Sequence, residues 1–296
     1  MIGAIARGYF VMGLEDFSND QLAEIYRRAM KTRNWRANEP EDTKLNPPGE
    51  GTKEGSESQK SDEEKDAGYY RAIVRVIFHQ GMNAKTVEKF YDILDHYFGD
   101  YRNVKDYDES DISRMMSDRK MFRAERKIRY AIEAAKTFAD IVGEEGSFSK
   151  YVDSFDAENS YENTDRLADD IARRFYGFGM TSARHLLSYY GHEIVKPDIW
   201  MMRIFNRIGL TDRENDADGT VEAARRMAEA AGVPVYWVDR LVDLGLTGYF
   251  DNPPVCGSEP DCKRCLVQCY CRYFREHNVN SGIKAANSLF DSESLE

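Results

Sequence analysis

No stretch of the 296-residue chain is apolar over the ~18 residues that cross a bilayer, which excludes a membrane-spanning protein. The start also lacks the pattern of a secretory signal. Arg7 sits inside it, and the apolar run Tyr9 to Met12 is short. An intracellular protein is expected. Cysteine is absent before position 256, so no disulfide framework is spread along the chain. Alternating strand patterns are scarce and no segment repeats, which excludes β-rich and solenoid folds. Positive charge is also in deficit. The balance of 41 Lys and Arg against 52 Asp and Glu leaves −11, at first sight the wrong sign for binding nucleic acid. Net charge, however, sums over the whole chain. Between 171 and 210 six basic residues (Arg173, Arg174, Arg184, Lys196, Arg203, Arg207) face two acidic ones (Glu193, Asp198), a locally basic stretch.

What is present is helical periodicity. Ser18-Asn-Asp-Gln21 has the form of a capping box, and Leu22, Ile25, Tyr26 and Met30 follow at helical spacing. This predicts a helix over 20–32 within an N-terminal segment, 1–36. Segment 37–66 carries three prolines, many charges and almost no aliphatics, so it reads as a flexible acidic linker or insertion. Helical spacing then returns. Tyr70, Ile73 and Ile77 mark one helix, and Val87, Phe90, Tyr91 and Leu94 a second. Ile128, Ala131, Ile132, Ala135 and Phe138 mark another. Further helices are expected over 199–208, 221–231 and 236–244, and 279–296 reads as a tail. The fold class is all-α.

Two local patterns carry chemistry. In Arg174-Phe-Tyr-Gly177-Phe-Gly179-Met-Thr-Ser-Ala183, two helices flank a tight turn with two glycines. The second helix would present unpaired N–H groups, a ready phosphate site. About twenty residues on, Lys196-Pro-Asp198-Ile-Trp-Met-Met-Arg203 puts an aspartate where a helix begins. Alone, Asp198 reads as a helix cap.

The cysteines form a third pattern. All five fall between Cys256 and Cys271, as C-x5-C-x2-C-x5-C over Cys256, Cys262, Cys265 and Cys271, with Cys269 left over. Four thiolates suit zinc or an iron–sulfur cluster. Spacing alone allows Cys269 to replace Cys271. Glu214, Asp216, Asp218 and Gly219 have the look of a calcium loop. Arg225 stands where the bidentate glutamate belongs, so this is an acidic surface turn.

Together, from about Tyr69 to Phe274, these segments resemble the helix-hairpin-helix DNA glycosylases, the superfamily of endonuclease III and the adenine glycosylase MutY. The resemblance rests on Gly177 and Gly179 in the hairpin, Asp198 opening a later helix, Arg203 beyond it, and Phe78-His-Gln80 in place of a Ser-x-Gln stretch. It implies two lobes: a six-helix barrel over 67–190, with the hairpin near 171–190, and a lobe of N- and C-terminal helices. The second lobe takes in 191–278 and carries a [4Fe–4S] loop. Asp198 would be the catalytic carboxylate. Gln80, Gly177, Gly179, Thr181, Arg184, Arg203, Lys263 and Arg264 would meet DNA. Phe78, His79, Tyr176 and Trp200 would border the flipped base. The family's C-x6-C-x2-C-x5-C implies a [4Fe–4S] cluster on Cys256, Cys262, Cys265 and Cys271, although the first interval is one residue short here.

Other departures matter too. Phe175-Tyr176-Gly177 replaces Leu-Pro-Gly, and the loop before Asp198 is about one residue short. Bifunctional members place a lysine two residues after the second hairpin glycine, where this chain has Thr181. A hydroxyl there cannot form a Schiff base, so the resemblance implies a monofunctional glycosylase without AP-lyase activity. Nothing in the sequence points Lys196 at a sugar. The expected partner is double-stranded DNA, and the expected protein a monomer of the nucleoid, or of the nucleus in a eukaryote. Two other readings stand beside this one: a non-catalytic helix-hairpin-helix iron–sulfur DNA-binding protein, and an iron–sulfur redox protein unrelated to DNA. The base excised is not legible.

Overall fold

The computed structural model describes residues 13–34, 61–82, 84–245 and 254–278. Every regular element among them is helical. In chain order the α-helices are α1 (Asn19–Asn34), α2 (Asp62–His79), α3 (Ala84–Glu88), α4 (Tyr91–Phe98), α5 (Tyr101–Val104), α6 (Glu109–Ser117) and α7 (Glu125–Glu145). They continue with α8 (Phe148–Asp153), α9 (Tyr161–Arg174), α10 (Met180–Tyr189), α11 (Ile199–Ile208), α12 (Ala217–Ala231), α13 (Val235–Val238) and α14 (Arg272–Asn278). Short 3₁₀ segments occupy Leu14–Asp16, Asp239–Leu244 and Cys262–Arg264. Among the described residues no helix is long and apolar enough to cross a membrane.

Local chemistry sets the helix ends. The Ser18 amide donates to Gln21 Oε1 at 2.9 Å and the Gln21 amide to Ser18 Oγ at 3.2 Å, which closes the box before α1. Ser61 and Glu64 do the same before α2, whose first turn holds Asp62, Glu63 and Glu64. Carboxylates there suit the positive helix end. This corrects the linker boundary: residues 62–66 are helical, because a cap and three well-placed acids precede the apolar face. The rest of the linker, 37–60, lies outside the described residues, as do 1–12, 35–36 and 279–296.

Two cores form. The first joins α2 through α10 around Tyr70, Ile77, Phe138, Phe148, Ile171 and Leu186. Its longest member, α7, buries Ile128, Ala131, Ile132, Ala135 and Phe138 at helical spacing and lies against α2, α5, α6 and α8. The second joins α1 to α11–α13 and the segment Asp239–Leu244 around Leu22, Ile25, Phe205, Ala224, Met227 and Leu241. A buried ion pair, Arg33 to Asp243 at 2.6 Å, fixes α1 to that segment. The chain passes from one core to the other between Ile194 and Val195. The residues that follow, Lys196-Pro197-Asp198, therefore stand at the junction of the two cores.

Candidate active site

Asp198 caps α11. Its Oδ1 accepts the amides of Trp200 and Met201, both at 2.9 Å. That leaves Oδ2 to Lys196, whose Nζ lies 3.4 Å away, both side chains being one-fifth exposed. One oxygen thus holds the helix and the other has a cation beside it. The cap reading and the functional reading of this residue are compatible.

The Lys196 charge acts on two imidazoles from the first core. His79, at the end of α2, is held down to about 4 by burial, with Lys196, Lys127 and Arg75 adding to the effect. His185, on α10, is held down to about 3 by burial, then by Lys196 and His79. The two rings lie 6.4 Å apart, and His79 Nε2 is 2.7 Å from the Tyr91 hydroxyl. Both imidazoles are neutral near pH 7 and can exchange hydrogen bonds without carrying charge. On the other side Asp239 Oδ1 accepts the Lys196 amide at 3.1 Å. Neither His185 nor Asp239 stands out in the sequence, since only the packing of α10 on α2, and of Asp239–Leu244 on α11, brings them here.

The hairpin follows α9. Gly177 has φ +82, and a Cβ there would lie 2.5 Å from the Tyr130 ring. Its carbonyl accepts the Gln80 amide at 2.9 Å, and the same amide reaches Ser182 Oγ at 3.1 Å. In this structure the Gln80 side chain braces the hairpin. Lys127, buried below, donates to the carbonyls of Phe78 at 2.7 Å and Gln80 at 2.6 Å, closing the end of α2. No side chain caps α10, whose first residues, Met180 and exposed Thr181, follow Gly179.

Two of the residues expected at the DNA or the base, Phe78 and Arg184, are buried. Phe78 is fully buried between Phe98 and Phe122, because it continues the α2 face of Tyr70 and Val74, and it borders no open site. Arg184 is 8% exposed and turned to Asp165, which Arg225 of α12 also engages at 2.8 Å. The Asp165–Arg225 pair links the two cores, and Arg184 does not reach outward. Arg203 lies over the Trp200 ring and pairs with Glu214 at 2.8 Å. Trp200 itself packs against Gly245, where a Cβ would come within 2.7 Å. Tyr176 remains 66% exposed on the hairpin, edge-on to Tyr130. Lys263 is exposed, and Arg264 pairs with Asp261 at 2.6 Å.

The cations of the basic stretch have partners in the fold. Arg173 and Arg174 pair with Asp169 and Asp170, and Lys196 pairs with Asp198. Arg207 donates to the carbonyls of Cys256 and Gly257.

That last contact leads to the cysteines. Burial raises the thiols of Cys256, Cys262, Cys265 and Cys271, Cys265 to about 12 and Cys271 to about 11. Cys262, Cys265 and Cys271 each feel Cys256, and Cys265 and Cys271 also feel Cys262, so the four lie in one neighbourhood. Cys269 is exposed and turns away, accepting from Arg28 at 3.3 Å. Arg207 Nη1 stands 3.5 Å from Cys256 Sγ. Among the described residues no three His, Cys, Asp or Glu side chains converge as ligands of a single metal ion.

A search of curated proteins finds no match to the chain. Residues 62–182, from the start of α2 into α10, match the family model of methyladenine glycosylase. This part of the chain, hairpin included, is therefore similar to a helix-hairpin-helix family of DNA glycosylases, while Lys196, Asp198, Asp239 and the cysteines lie beyond the match.

Proposed function

We propose that the protein is a monofunctional DNA glycosylase that flips a damaged, mismatched or modified base from duplex DNA and hydrolyses its N-glycosidic bond. One observation carries this reading beyond the family match: Asp198 keeps Oδ2 clear of the helix, 3.4 Å from Lys196 Nζ, while Oδ1 holds α11. Bond cleavage passes through an oxocarbenium-like state, which a fixed carboxylate stabilises. Asp198 supplies that charge and orients the water that adds to the sugar carbon. The base must leave the stack to reach it. Thr181 offers no amine at the hairpin, and Lys196, paired as an ammonium with Asp198, has no lone pair with which to attack the sugar. The strand is left intact at an abasic site. With the arginines engaged elsewhere, duplex DNA is held by the N–H groups at the start of α10 and by exposed Lys263. The two separate cores suit the two-lobed form of such enzymes, and the protein acts as a monomer wherever the cell keeps its DNA.

The spacing and proximity of the four cysteines support a [4Fe–4S] cluster on Cys256, Cys262, Cys265 and Cys271. A tetrahedral zinc site would bring its sulfurs to about 3.8 Å of one another, whereas a cluster holds them wider apart. Buried thiols raised in this way ionise only against a compensating cation. When bound, the cluster serves as a cross-link of the loop and takes no part in base removal. Arg207, Cys256 and Gly257 join that loop to α11, the helix that Asp198 begins. Cys271→Ser should lose bound iron and visible absorption, while Cys269→Ser keeps both. The reverse pattern would move the fourth ligand to Cys269.

The family match makes methylated adenine the first base to test. Incubation with a panel of lesion duplexes should yield free base and strands that break only on alkaline treatment. Release from no duplex, with binding retained, would favour the non-catalytic DNA-binding protein. Strand cleavage without alkali, or borohydride cross-linking at Lys196, would contradict the monofunctional assignment.

A further inference from the structure

We infer that Asp239 is a positioning residue of this site: its carboxylate fixes the backbone at Lys196, and with it the ammonium that meets Asp198. The inference rests on the function proposed above for Asp198. A chain of contacts carries it. Asp239 Oδ1 accepts the Lys196 amide at 3.1 Å, the Lys196 carbonyl accepts the Asp198 amide at 2.8 Å, and Lys196 Nζ lies 3.4 Å from Asp198 Oδ2. The loop is pinned at a second point, where Glu193 Oε2 accepts the Val235 amide at 2.7 Å. Both pins run to α13 and Asp239–Leu244, and that segment is itself anchored. Asp243 is ion-paired to Arg33, and the Leu244 carbonyl accepts the Cys256 amide at 2.7 Å. Asp239 is thus a fixed mount from which the reacting loop is hung.

The charges agree with that role. Burial lifts Asp239 to about 6, and Asp198 and Asp243 push the same way, while Lys196 and its amide oppose them. Beyond Lys196 lie His79 of α2 and His185 of α10, both neutral. The folded value lies above the ordinary 3.8, so the ionised carboxylate costs stability at every pH above about 6, and that cost disappears as pH falls toward 3.8. A carboxylate that destabilises the fold at working pH, yet orders a reacting loop, is the pattern expected of a functional group.

Two variants and one activity-independent readout test this. Asp239→Asn keeps an oxygen for the Lys196 amide and removes the charge, whereas Asp239→Ala removes both. In the intact protein the Lys196 amide proton should titrate by NMR with a midpoint near 6, and in Asp239→Asn it should not. Asp239→Asn should melt about 2–4 °C higher at pH 8. Asp239→Ala should lose up to about 10²-fold in kcat with KM little changed, and Asp239→Asn should recover part of that loss. A Lys196 amide insensitive to pH between 5 and 7, or an Asp239→Ala variant that excises at the wild-type rate, overturns the inference. If the wild-type protein releases no base, the proposed function fails, while the amide titration still reports on Asp239.

Discussion

Asp198→Asn should lower the single-turnover rate of base release by roughly 10³-fold and leave duplex affinity near that of the wild type. Asparagine keeps the shape of aspartate, and its side-chain oxygen can still accept the Trp200 and Met201 amides that Oδ1 accepts now. The α11 cap survives, so stability should change little. What disappears is the negative charge on the oxygen beside Lys196, and with it the group that balances positive charge on the sugar and orients water. The substitution therefore separates the two roles of Asp198. If the residue only caps a helix, Asp198→Asn is nearly neutral and Asp198→Ala costs about 1 kcal/mol of stability. A rate unchanged in Asp198→Asn would remove this carboxylate from the chemistry.

Gly177→Ala should destabilise the protein by roughly 3 kcal/mol, from left-handed backbone strain of about 1–2 kcal/mol and a packing clash of about 1–3 kcal/mol. Tm should fall by about 6–12 °C. The left-handed backbone at φ +82 disfavours any side chain, and the new methyl would meet the Tyr130 ring at 2.5 Å. Relief requires moving Tyr130 or the hairpin, and the hairpin is tied to Gln80 through the Gly177 carbonyl. Gly179→Ala is the control. A Cβ there meets nothing within 4 Å, and the backbone is extended at φ −121. Its cost should stay under about 1 kcal/mol. Differential scanning calorimetry of the two variants decides the matter, and equal melting temperatures would contradict the assigned strain.

The two glycines look alike in the sequence, and that contrast shows where sequence reasoning runs out. Patterns that act over a few residues were readable. The Ser18–Gln21 box and the aspartate before α11 each follow from contacts two or three residues apart. Side-chain direction across the fold was not readable. Arg184, Arg203 and Arg207 counted as open positive charge, yet each found a partner brought by packing: Asp165, Glu214 and the cysteine loop. Phe78 lies in the same motif segment as His79 and Gln80, but successive helical residues point about 100° apart, so Phe78 faces the core and His79 lies toward Lys196. His185 and Asp239 join the site from positions far from Asp198 in the chain, with no local mark to separate them from other histidines and aspartates.

The most direct measurement of the central claim is mass spectrometry of bases freed from a mixed-lesion duplex pool that includes methylated adenine, run with wild-type protein and with Asp198→Asn. The account predicts at least one free base from the wild type, an abasic site in an otherwise intact strand, and neither product above background from the variant. Equal release by both proteins, or none from a wild type that binds the duplexes, would contradict it.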